Sequence, residues 1–85
     1  MEIIKTVEVK RFNSDLLKGG TPVKVTYFPN SEQEQVDYGF ITKNLGHTLV
    51  YTTWRQNNMF QYEVDVVHVG RGVIVEIGTW SFNKE

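Results

Sequence analysis

The chain has 85 residues, nine Lys and Arg against ten Asp and Glu, no cysteine, and 13% aromatic residues. That length supports one domain, since roughly 100–150 residues is usual and a split would leave two coreless pieces. The formal charge of −1 removes the positive excess behind strong non-specific nucleic-acid binding, and the lack of cysteine removes disulfides and zinc–thiolate sites. Met1-Glu2-Ile3-Ile4-Lys5 lacks the basic-then-apolar order of a signal peptide, and no apolar run approaches about 18 residues. A cytoplasmic protein with no membrane span is therefore expected. The single domain, 1–85, divides into an N-terminal strand and helical turn (1–20), a barrel core (21–78) and a tail (79–85).

From Ile3 to Phe12 β-branched residues mix with charges, with Val7 and Val9 on one face and Glu8 and Lys10 on the other. This is the pattern of a charged edge strand. Asn13 or Ser14 can cap a helix start, and Gly19 can take the left-handed closing position. Only about one turn fits between them. A short helical turn near Asp15–Lys18 should pack Leu16 and Leu17 onto one end of the barrel.

Thr21–Phe28 reads as a strand with Val23, Val25 and Tyr27 on one face, Pro22 being tolerated at its beginning. Pro29–Gln35 is a polar loop carrying Glu32 and Glu34, an acidic segment that could meet a basic partner. Val36–Lys43 is the next strand, with Val36, Tyr38 and Phe40 on one face, and Gly39 within it marks a bend or bulge. Asn44-Leu45-Gly46-His47 makes a tight turn with His47 exposed. Thr48–Trp54 follows, Leu49 and Tyr51 opposed to Val50 and Trp54, and Arg55–Asn58 suits a primed hairpin turn.

Phe60, Tyr62, Val64 and Val66 then alternate with Gln61, Glu63 and Asp65. At Val66-Val67 the phase slips by one residue, which marks a helical turn. Gly70-Arg71-Gly72 turns the chain, and Val73, Val75 and Ile77 resume the alternation. Five or six short strands at roughly 8–12-residue spacing, with turn chemistry between, predict an all-β small antiparallel barrel.

This order, with a single turn before the last strand, resembles the SH3-like small-barrel superfamily over about residues 21–78. The resemblance implies a fold; peptide-binding, nucleic-acid and assembly roles all occur on it. Val25-Thr26-Tyr27-Phe28-Pro29 stands where a peptide-binding SH3 domain has an Ala-Leu-Tyr-Asp-Tyr-like run, and Trp54 and Trp80 are far apart, which speaks against proline-ligand recognition. Arg71-Gly72-Val73-Ile74-Val75 is similar to the Arg-Gly element of Sm-like RNA-binding proteins, whereas Lys43-Asn44-Leu45-Gly46-His47 does not match their earlier motif.

Glu63, Asp65 and His68 have donor types that could ligate a metal or share a proton. Strand alternation alone accounts for these polar residues, so they are read as a solvated face. Ser14, Ser31 and Ser81 lack a nucleophile elbow, and Gly70-Arg71-Gly72 precedes a strand rather than the helix of a phosphate loop. No catalytic residue, metal or cofactor is assigned. A small barrel buries one face of each strand, which leaves Phe28, Trp54, Trp80 and Phe82 either exposed or covered by the termini; Phe28 is expected to be covered. Trp, Tyr and Arg dominate interface energetics. The expected binding surface is accordingly Tyr51, Trp54, Arg55, Asn57, Arg71 and Trp80. The expected function is a non-catalytic protein-interaction module, a small adaptor or inhibitor. An RNA- or single-strand-binding barrel using the same aromatics with Lys43, Arg55 and Arg71 is the alternative. Assembly into a ring or dimer through edge strands is a third.

Overall fold

A computed structural model describes residues 3–6 and 10–80. Within them the chain is mostly strand: β1 (Ile4–Thr6), β2 (Lys10–Phe12), β3 (Pro22–Tyr27), β4 (Gln35–Asn44), β5 (Thr48–Arg55), β6 (Asn58–Asp65), the short helix α1 (Val66–Gly70) and β7 (Ile74–Ile77). Strands β3 to β7 form one antiparallel sheet in the order β6-β5-β4-β3-β7, so the last strand returns beside the first of the five. The all-β expectation holds. Among the described residues the hydrogen-bonded ladder is open between β6 and β7, which α1 links in sequence. No helix of the described residues is long and apolar enough to cross a membrane.

Period-two alternation divides each strand between two faces. Val23 and Val25 of β3, Ile41 of β4, Leu49 and Tyr51 of β5, Val64 of β6 and Val75 of β7 meet on the inner face, joined by Phe12 and Leu17 from the N-terminal segment. The register agrees, pairing Leu49 with Val64, Tyr51 with Tyr62, and Val25 with both Asp37 and Val75. Gly39 lies where β5 closes onto β4. A Cβ there would overlap the Thr52 carbonyl oxygen, so glycine is required for this approach. The register shift itself falls between Ile41 and Lys43, two residues beyond the glycine that signalled it.

The N-terminal segment departs from the single edge strand expected of it. β1 and β2 pair with each other, Ile4 opposite Phe12, as a separate two-stranded sheet. The Asn13 amide donates to the Ile3 carbonyl (2.7 Å) and extends this pairing, while the Phe12 amide donates to the Gly46 carbonyl (2.6 Å) and fastens the hairpin to the β4–β5 turn. The alternation around Val7, Glu8 and Val9 lies outside the described residues, as do residues 81–85. Asn13 caps the next turn, its Oδ1 accepting from the Asp15 and Leu16 amides at 2.9 and 3.3 Å. A single bond from the Leu17 amide to the Asn13 carbonyl completes the turn, which stops short of a helix. It buries Leu17 completely. Gly20 rather than Gly19 takes the left-handed conformation, at φ +91°.

The phase slip at Val66-Val67 is α1. The Asp65 amide donates to His68 Nδ1 (2.9 Å), a side-chain acceptor for an amide the helix itself cannot satisfy. Thr48 Oγ1 donates to Asp65 Oδ1 at 2.7 Å. Two of the three residues weighed as a metal set thus start a helix. Among the described residues no three His, Asp or Glu side chains converge to hold a metal ion.

Candidate functional site

A buried carboxylate lies in the inner face. Asp37 follows the same alternation as Gly39 and Ile41, and its side chain is 2% exposed. Arg55, at the end of β5, meets it with three donations: Nη2 to both oxygens at 2.8 and 2.9 Å, and Nε to Oδ1 at 3.2 Å. Arg55 Nη1 donates to the Tyr62 hydroxyl (2.9 Å), and its guanidinium lies 4.4 Å from the Tyr62 ring centroid. From the other side the Tyr51 hydroxyl donates to Asp37 Oδ2 at 2.9 Å. That uses the only proton of Tyr51, so the 2.5 Å contact between the two hydroxyls has Tyr27 as donor. The chain Tyr27–Tyr51–Asp37–Arg55–Tyr62 therefore crosses β3, β5, β4 and β6. Among the described residues no buried side-chain nitrogen or oxygen lacks a partner.

The network fixes protonation states. Burial pushes the Tyr51 hydroxyl far above the ordinary tyrosine range, and its bonds to Tyr27 and Asp37 push the same way. Burial also raises Tyr27, partly offset by the bond to Tyr51. The hydrogen bond to Asp37 raises Arg55 further, against its partial burial. Tyr27 and Tyr51 stay neutral, and the charge of Arg55 is matched by a buried carboxylate.

Phe28 stands above this floor, 62% exposed and at φ +53°. A left-handed backbone is costly for a bulky residue and is kept only where surrounding structure imposes it. Ser31 helps impose it, with its amide and hydroxyl both donating to the Phe28 carbonyl at 3.3 and 2.8 Å. Asn30 is also left-handed, and its amide donates to Glu34 Oε1 (3.1 Å), so one acid of the loop closes the turn. Two clefts flank Phe28 and share it with Tyr27. One, of about 330 Å³, adds Pro29, His68, Arg71 and Val73; the other, of about 310 Å³, adds Gln33, Gln35, Arg55 and Tyr62.

The six residues expected to form one surface are divided. Arg55 and Arg71 line the two clefts on either side of Phe28. Tyr51 is 1% exposed, so it supports this surface from below through Asp37 and is no part of it. Trp54 is 55% exposed on the opposite face of β5, beside a separate groove of about 410 Å³ that it lines with Phe40, Thr52 and Met59. Trp80 is half-buried, packed edge-on to Tyr38 (5.4 Å between centroids) and over Gly78. Asn57 occupies the β5–β6 turn with Gln56, both at positive φ as a primed turn requires. The expectation that Phe28 is covered fails, because the turn at Ser31 turns it outward and the N-terminal hairpin fastens instead to the Gly46 turn. Asp37 and Tyr62 were missed as site residues, although a charged residue in phase with Gly39 and Ile41 is a legible signal of a buried partner.

Comparison with protein-family models, curated proteins and solved structures finds no match for this chain.

Proposed function

We propose that the chain is a non-catalytic macromolecule-binding module that grips an extended segment of a protein partner across Phe28. The observation that carries this reading is an exposed aromatic held in an unfavourable backbone conformation between two clefts, over a floor fixed by hydrogen bonds. A rigid floor lowers the ordering cost of binding, and aromatic and Arg side chains are the usual interface anchors. The balance of the floor favours protein over nucleic acid. Arg55 is neutralised by Asp37, which leaves Arg71 as the cation of the two clefts without an ion pair among the described residues. Such a surface offers hydrogen bonds to peptide groups and little attraction for a run of phosphates. The strand order, with α1 between β6 and β7, supports an SH3-like barrel. The lack of cysteine suits a reducing cytoplasm.

Pull-down from host lysate with the wild type, Phe28→Asn and Arg71→Ala tests the reading. A protein retained by the wild type and lost by both variants supports it. Retention by both, or recovery of nucleic acid that high salt releases, overturns it.

A further inference from the structure

Strand β6 ends the sheet, and one of its sides is unpaired among the described residues. Natural proteins protect such an edge with Lys, Pro, a bulge or a covering segment, because free amides and carbonyls recruit other strands. Over the first five residues of β6 that protection is lacking. Asn58-Met59-Phe60-Gln61-Tyr62 holds no charge, proline or glycine, and its register with β5 runs unbroken over all eight residues. Met59 and Phe60 are 50% and 41% exposed on opposite faces of that edge, with exposed Trp54 paired to Met59. The other free edge, β7, has only four residues, one of them Glu76. A head-to-tail pairing of β6 with β7 would leave half of β6 bare, whereas a second β6 matches it in length and brings its own uncharged Asn58–Tyr62 stretch.

We infer that two copies of this chain associate through β6, strand against antiparallel strand, about a two-fold axis at Gln61. A continuous sheet requires residues facing each other to share a face, so the paired positions sum to an even number. Centring on Gln61 sets Phe60 opposite the second copy's Tyr62 and Met59 opposite its Glu63, and ends the ladder before α1. Each Glu63 then faces a methionine rather than its own image, and the Phe60–Tyr62 ring contact within one strand (6.2 Å between centroids) extends across the axis. The pairing uses residues 58–64 of β6, and Phe28 is not among them.

Light scattering over a dilution series, with two variants at the exposed Gln61, tests this. The wild type is expected to approach twice 9.9 kDa on concentration. Gln61→Lys sets two ammonium groups against each other at the axis and should hold the chain at monomer mass with an unchanged circular-dichroism spectrum. Gln61→Cys supplies the only thiol in the chain and should convert to a covalent dimer under mild oxidation, whereas Glu63→Cys should not. A wild type monomeric at every concentration, a dimer indifferent to Gln61→Lys, or no covalent dimer from Gln61→Cys overturns the inference.

Discussion

Replacing Asp37 by alanine tests whether the network holds the sheet together. The substitution removes the counter-charge of Arg55 and the acceptor of Tyr51 in one step. Breaking a buried ion pair by deleting one partner costs about 3–5 kcal/mol, chiefly because the other charge stays behind unpaired. The Arg55 side chain is 32% exposed and can recover some hydration, so the expected cost lies at the lower end, about 3 kcal/mol. A domain of this size has roughly 5–10 kcal/mol in total, so the variant should still fold, with its melting temperature lowered by about 12–24 °C. Urea titration reads the loss directly, as a lower midpoint at unchanged slope. Adding Arg55→Leu to Asp37→Ala should restore part of the stability, since no lone charge then remains. A loss under about 1 kcal/mol for Asp37→Ala, or a double variant weaker by the sum of the two single losses, would mean that the buried pair does not hold the sheet together.

Gly39→Ala should cost about 2 kcal/mol or more in the same titration, because the new methyl meets the Thr52 carbonyl of a neighbouring strand; a neutral result would mean that β5 does not approach so closely. Tyr27 and Tyr51 have folded-state pKa values raised above the unfolded value of about 10. Their contribution is therefore fully present below about pH 10 and declines as pH rises above it, where the unfolded chain releases these protons and the native one does not. Alkaline titration should show their phenolate signal arising together with unfolding, and Tyr51→Phe should remove part of that coincident signal. Phenolate from both residues in the still-folded protein would contradict the network.

Much of the fold is readable from alternation: Val23 and Val25, Leu49 and Tyr51, Phe60, Tyr62 and Val64 fall where period two puts them, whereas β4 turns Asp37, Gly39 and Ile41 inward and leaves the more apolar row of Val36, Tyr38 and Phe40 on its outer face. The slip at Val66-Val67 was equally legible, since a helical turn is what reverses a strand's phase over so short a distance. What escaped the sequence was set by contacts distant along the chain. Nothing local says that Ile4 pairs with Phe12 rather than extending one strand. The outward turn of Phe28 depends on hydrogen bonds from Ser31, where aromatic character alone argues for burial. The candidate surface was half legible. Arg55 and Arg71 were identified by residue type, but Trp54 and Trp80 were grouped with them although one-residue steps along a strand change face. Tyr51 is an aromatic near a turn by sequence, and its supporting role depends on Asp37 beneath it.

In the proposed function Phe28 is held exposed for a partner. Phe28→Asn tests it most directly, because asparagine tolerates the left-handed backbone that phenylalanine resists. Affinity for the partner recovered by pull-down and urea stability should be measured on the same preparations. Phe28→Asn should leave stability unchanged or raise it, by up to about 1 kcal/mol. It should also cost about 2 kcal/mol or more of binding, roughly thirty-fold in Kd. Equal affinity, or a variant whose binding falls only because it unfolds, would contradict this role for Phe28.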